Sequence, residues 1–148
     1  MKVSECMSAD VRIVPPEATI QDAARQMLDG DTGALLVGSA DNPQGVVTDR
    51  DIAVRAVAEG RGPDTPVSQV MTAEVVTVRD DQDLDDVAVL MSDRQVRRVA
   101  VLGGDGRVAG MISVGDLAKS DDSDTAEAAL TGVVQDGGEH QQVPADAA

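Results

Sequence analysis

The sequence contains no phenylalanine, tyrosine or tryptophan. Without aromatic rings there is no platform on which single-stranded bases could stack. Any core must be assembled from Val, Ala, Leu, Ile and Met, which are small or flexible. Such a core buries less area per residue, so association between copies, most simply a homodimer, is expected to add stability. Basic side chains are also scarce. Twelve Lys+Arg stand against 27 Asp+Glu, for a formal net charge of −15, which excludes the basic footprint of a duplex-binding protein. A single cysteine, Cys6, rules out an internal disulfide and fits a reducing compartment; it is expected as a small apolar residue rather than a nucleophile. No apolar run approaches the roughly 20 residues that span a bilayer, and the start, "MKVSECMSAD", lacks the apolar stretch of a signal peptide. The expectation is a cytoplasmic protein with neither nucleic acid nor membrane as partner.

What charge there is falls unevenly. Seven of the acids, and no Lys or Arg, lie in residues 121–148, a stretch rich in Asp, Ala, Gly and Gln that also carries the only histidine, His140. This composition reads as a disordered acidic tail. The body before it is left without any histidine, without a Cys–His pair, without metal-ligand spacing and without a P-loop. No catalytic residue and no metal site is therefore assigned.

The body repeats itself. "VSECMSADVRIVPPEATIQDAARQMLDG" from Val3 lies over "VSQVMTAEVVTVRDDQDLDDVAVLMSDR" from Val67 without a gap, and one residue of slippage near Asn42–Gln44 then aligns Gly45 with Gly110, Thr48 with Ser113 and Asp51 with Asp116. Similarity at this period points to one supersecondary unit used twice. Residues 1–58 form the first repeat, the Gly/Pro-rich 59–66 the linker, 67–120 the second repeat and 121–148 the tail. In each repeat a short β-branched run ("VRIV", "VVTV") reads as a strand. A helix follows from a cap at Thr19 or Asp83, with Ile20, Ala23, Ala24 and Met27, or Leu84, Val87, Ala88 and Met91, on its apolar face. "ALLVG" and "RVAVL" are second strands, "GVVT" and "GMIS" third strands, and further helices start near Asp49 and Val114. The fold class is α/β (α+β), β-α-β-β-α twice over. Neither unit buries much alone, so the two are expected to pack into one body.

Both third strands run into Thr48-x-x-Asp51 and Ser113-x-x-Asp116. Each fits a capping box, with a hydroxyl at N-cap and an acid at N3. The same geometry suits a nucleotide: a helix N-terminus favours phosphate, and a carboxylate accepts hydrogen bonds from a ribose diol. The residues alone leave both readings open.

Two β-α-β-β-α units, each ending Gly-apolar-apolar-(Thr/Ser)-x-x-Asp-apolar, resemble a tandem pair of CBS domains (a Bateman module), with "MTAEVVTV", "VRRVAVL" and "GVVTDRDI" in the expected order. The likeness extends over about residues 3–119, and among small members the chain is similar to stand-alone bacterial stress-response proteins. It implies two repeats related by pseudo-two-fold symmetry, commonly a homodimer, and a cleft between repeats that takes AMP, ADP, ATP or S-adenosylmethionine as a regulatory ligand rather than a required cofactor. Carried over by position, Thr48 and Asp51 belong to one half-site and Ser113 and Asp116 to the other. Arg97 and Arg98 are the expected phosphate partners, joined by Arg50. Gly33 and Ala34, at the matching positions of the first repeat, carry no charge, so the Thr48/Asp51 site is the one expected to be filled. Val11 and Val75 would line the adenine face. Three functions follow in order: a sensor that binds an adenosine-containing molecule and signals to a protein target through shape or oligomer change; a ligand-free dimeric structural or stress-response protein; and, without any supporting constellation, an enzyme.

Overall fold

A computed structural model describes residues 1–119. The acidic tail and His140 lie outside the described residues. The chain divides into two compact units, one containing Val11–Val75, the other Met1–Asp10 and the chain from Val76.

The first unit holds β1 (Ile13–Val14), α1 (Ile20–Gly30), β2 (Ala34–Gly38) and β3 (Pro43–Thr48), followed by α2. Its sheet has the order β1-β2-β3, with β1 parallel and β3 antiparallel to the central strand. Helix α1 begins at a complete capping box: Thr19 Oγ1 accepts from the Asp22 N–H (3.0 Å) and Asp22 Oδ2 accepts from the Thr19 N–H (3.2 Å). It ends on Asp31 in the left-handed region, φ 49°, a C-terminal position open to Asp and Asn as well as Gly. Ile20, Ala23 and Met27 turn inward, whereas Ala24, expected on the same face, is exposed. Helix α2 makes one α turn, Asp49–Asp51, and continues as a π-helical run, Ile52–Val57.

The second unit holds β4 (Thr77–Arg79), α3 (Leu84–Arg94), β5 (Arg98–Leu102), β6 (Val108–Ser113) and α4 (Val114–Ala118), again as a three-stranded sheet with one parallel and one antiparallel pair. All four expected residues of α3 are buried. Asp83 takes the N-cap position without a side-chain cap bond; its carboxylate faces Lys2 at 3.3 Å instead. The alternate residues of the central strands, Leu36 and Ala100, are fully buried like their neighbours, so these strands are covered on both faces and read as continuous apolar runs.

The compact units cut the repeats differently at their leading edges. Val67, Val70 and Met71 pack into the core of the first unit with Leu35, Val37 and Val47. Val3, with Cys6 and Met7 against it, packs into the second unit's core with Val99, Val101 and Ile112. The hydrogen bonds explain the exchange. A helix leaves its first N–H groups without internal partners. In the first unit the carbonyls of Thr65 and Pro63 accept from Ile20 and Gln21 at the start of α1. In the second the carbonyl of Met1 accepts from Leu84 at the start of α3. The leading segment then adds a two-way bridge to the last strand, Val46–Thr72 in one unit and Met111–Ser8 in the other, with N···O distances of 2.8–3.0 Å. The linker is thus a capping element of the first unit.

Candidate functional site

Each third strand ends on the expected hydroxyl, and each capping box is closed in both directions. At the first corner, Thr48 Oγ1 accepts from the Asp51 N–H (3.1 Å) and Asp51 Oδ2 accepts from the Thr48 N–H (2.9 Å). At the second, Ser113 Oγ and Asp116 Oδ2 do the same at 3.1 and 2.9 Å. The remaining first-turn donors of α2 are also engaged. The Asp49 N–H donates to the Gly33 carbonyl (3.0 Å) and the Arg50 N–H to Asp49 Oδ1 (2.9 Å). In α4 the Val114 N–H donates to the Arg97 carbonyl (2.9 Å). An anion at the first corner therefore depends on side-chain cations rather than on the open helix end foreseen from the sequence.

The two corners differ in burial. Thr48 and Asp51 are 3% and 2% exposed, whereas Ser113 and Asp116 are half-buried. A buried carboxylate needs compensation, and Asp51 has it: Arg55, one helical turn on, brings Nη1 to 3.5 Å from Asp51 Oδ1 and donates to the Val70 carbonyl at 3.3 Å. Arg50 is exposed on the first turn of α2, Arg97 is exposed just before β5, and Arg98 is half-buried at the start of that strand. Val11 and Val75 are both half-buried in the first unit.

Two residues escaped the sequence reading. Thr72 is 9% exposed, and its Oγ1 is buried without a hydrogen-bond partner. Nothing in "VMTAE" marks it, since its burial depends on the bridge that its backbone makes to Val46. Arg55 was legible as an i,i+4 partner of Asp51. Of the described residues, the buried polar ones, Thr48, Asp51 and Thr72, all belong to the first unit.

Comparison with known proteins agrees with this architecture. The CBS domain family matches residues 3–57 and 67–123. The chain belongs to the CBS-domain family, as a tandem pair. The CBS domain-containing protein YhcV of Bacillus subtilis is 39% identical over 132 residues, 88% of this chain and 94% of that protein. The structure of Hypoxic Response Protein I with two coordinated zinc ions matches with a TM-score of 0.69 at 30% identity, covering 80% of this chain and 98% of the other. The CBS domain protein PAE2072 from Pyrobaculum aerophilum, complexed with AMP, matches with a TM-score of 0.72 at 27% identity, covering 91% and 99%. Among the described residues of this chain, no group of three His, Cys, Asp or Glu side chains could hold a metal ion, and no helix is long and apolar enough to cross a membrane.

Cys6 is half-buried, and its Sγ donates to the Asp116 carbonyl at 3.2 Å. Burial first, then the nearby Asp116 carboxylate, pushes its thiol above the ordinary value of 9.0. A thiol whose pKa is higher folded than unfolded stabilises the fold below the unfolded pKa and loses that contribution as pH rises through the folded one. Iodoacetamide should accordingly alkylate Cys6 more slowly at pH 8 than it alkylates the urea-unfolded chain. Equal rates would place the thiol in open solvent.

Proposed function

We propose that this CBS pair is a regulatory sensor, not an enzyme, that binds an adenine nucleotide at the Thr48/Asp51 corner. The observation that carries the reading is the gathering of Thr48, Asp51 and Thr72 in one unit, buried, with the Thr72 hydroxyl unpaired. An unpaired buried hydroxyl costs about 1–3 kcal/mol, and a ligand that supplies its partner offsets that cost. The AMP bound to PAE2072 supports an adenosine ligand. In this reading Asp51 accepts from the ribose diol, Thr48 holds sugar and phosphate, and Val11 and Val75 offer aliphatic contact to adenine. Arg50, on the first turn of α2, supplies a cation that a phosphate needs beside a protein of net charge −15. The Ser113/Asp116 corner is the second, weaker half-site. With no ring to stack on adenine, affinity is micromolar or weaker, about −8 kcal/mol or smaller in magnitude.

A second reading keeps its own support. Both capping boxes are closed without any ligand, as in a ligand-free structural or stress-response protein. Calorimetry with AMP, ADP, ATP and S-adenosylmethionine separates the two. Asp51→Ala should weaken nucleotide binding by about 1.5–3 kcal/mol, and Arg50→Ala should weaken AMP more than adenosine. Thr72→Val is the sharper variant, because removing an unpaired buried hydroxyl should raise the melting temperature while weakening the nucleotide. If no adenine compound shifts the melting temperature of the parent chain, the ligand-free reading stands.

We also propose a homodimer and a cytoplasmic location. Leu28, on α1, is 80% exposed, and Val54 and Val57, on α2, are exposed with it. Light scattering behind a sizing column tests the dimer.

A further inference from the structure

The nucleotide reading leaves Arg55 without a task, although its guanidinium reaches the buried Asp51 carboxylate. The two oxygens of that carboxylate are divided. Oδ2 closes the cap on the Thr48 N–H at 2.9 Å, while Oδ1 faces Arg55 Nη1 at 3.5 Å. A diol needs acceptor sites, which a carboxylate provides through the lone pairs of both oxygens. Withdrawing Oδ2 would open the cap of α2, so Oδ1 is the oxygen a sugar can take, and there it meets the guanidinium. Arg55 has a second acceptor within reach, since Nη1 also donates to the Val70 carbonyl at 3.3 Å. Val70 closes the 3-10 turn Val67–Gln69 and lies two residues before Thr72.

We propose that Arg55 is a positioning residue that gates this corner. In the ligand-free chain it covers Oδ1 of Asp51 and keeps the buried charge compensated. A ribose diol binds by taking over Oδ1, and the guanidinium moves fully onto the Val70 carbonyl, so that occupancy is passed to the Val67–Thr72 segment. The inference rests on the nucleotide reading and names its regulation. The second repeat has no such guard at the matching position, which is Ser120 and lies outside the described residues.

The test is calorimetry on the full chain with adenosine, 2′-deoxyadenosine and AMP, comparing the parent with Arg55→Gln and Arg55→Lys. Glutamine keeps a donor for Val70 and loses the charge; lysine restores the charge. If Arg55 competes with the diol, Arg55→Gln tightens adenosine about 3- to 10-fold, the worth of one partly exposed ion pair. It leaves 2′-deoxyadenosine unchanged and melts at a lower temperature, and Arg55→Lys returns adenosine to the parent affinity. A residue that only stabilised the fold would not tighten any ligand. Unchanged or weaker adenosine binding in Arg55→Gln, with the parent still binding, overturns the gate and leaves the nucleotide reading in place. So does a loss confined to AMP, which would make Arg55 a phosphate ligand. If the parent binds neither adenosine nor AMP, the nucleotide reading falls first and the gate with it.

Discussion

Asp51→Ala is expected to destabilise the protein by about 3 kcal/mol and Asp116→Ala by about 1 kcal/mol, although the two residues hold the same place in the two repeats. The shared part is the cap. Each carboxylate accepts from the N–H of its own hydroxyl partner, Thr48 or Ser113, and losing a cap costs about 0.5–2 kcal/mol. The difference lies in burial. Asp51 is 2% exposed and faces the Arg55 guanidinium, which is itself 21% exposed. Removing one member of a buried pair strands the other charge, at a cost of about 3–5 kcal/mol, and the partial exposure of Arg55 brings this to the lower end. Asp116 is half-buried and open to water. Thermal unfolding followed by far-ultraviolet circular dichroism should show a drop of about 10 °C for Asp51→Ala against about 3 °C for Asp116→Ala. Equal drops would mean that both corners are simple caps and that the Asp51–Arg55 pair contributes nothing.

This contrast also marks where sequence reading stops. The repeat, the strands Ala34–Gly38 and Arg98–Leu102 and the helix starts at Asp49 and Val114 are all written locally, in β-branched runs and in Thr/Ser-x-x-Asp. Their positions follow from periodicity because nothing distant needs to be known. Ala24 shows the first failure. It recurs at helical spacing, yet Ile20, Ala23 and Met27 already fill the strip that the sheet covers, and alanine is small enough to stay outside at little cost. The π-helical run Ile52–Val57 is a second one, since "DIAVRAV" carries ordinary helix formers and no glycine or proline. A third is the state of the helix ends. A capping box promises two satisfied N–H groups, but the Asp49 N–H is taken by Gly33, sixteen residues back, and only the folded sheet brings them together. The same holds for Thr72, whose burial has no local signature. The candidate site was thus legible as residue types at a spacing, while the burial that separates Asp51 from Asp116 is a property of packing.

The second large effect concerns two glycines that the repeats hold in register. Gly45 lies at the Val46–Thr72 bridge, and a Cβ there would come within 2.5 Å of the Thr72 carbonyl oxygen and 2.7 Å of Met71 Sδ. Gly110 lies at the Met111–Ser8 bridge, where a Cβ would meet the Ser8 carbonyl oxygen at 2.6 Å and Met7 Sδ at 2.7 Å. Neither glycine has a positive φ, so what each provides is room for a backbone crossing rather than an unusual turn. A methionine side chain can move aside, but a bridged carbonyl cannot without breaking the bridge. Alanine should therefore cost about 1–3 kcal/mol at either position, as overpacking does elsewhere, with different consequences. Thr72 belongs to the first unit. Ser8 belongs to Met1–Asp10, which is bound to the second unit by the bridge, by Val3 in the core and by the Met1–Leu84 hydrogen bond. Such a segment can open locally at a free energy below that of global unfolding. Cys6, the single cysteine, lies within it and reports the opening. Gly110→Ala should speed Cys6 alkylation at pH 8 by about tenfold or more, the factor that about 1.4 kcal/mol of lost docking sets. Gly45→Ala should lower the melting temperature to a similar degree while leaving the Cys6 rate near that of the parent. Acceleration in both variants would show that Cys6 is exposed only by global unfolding, and the segment would then have to be counted as part of one cooperative unit.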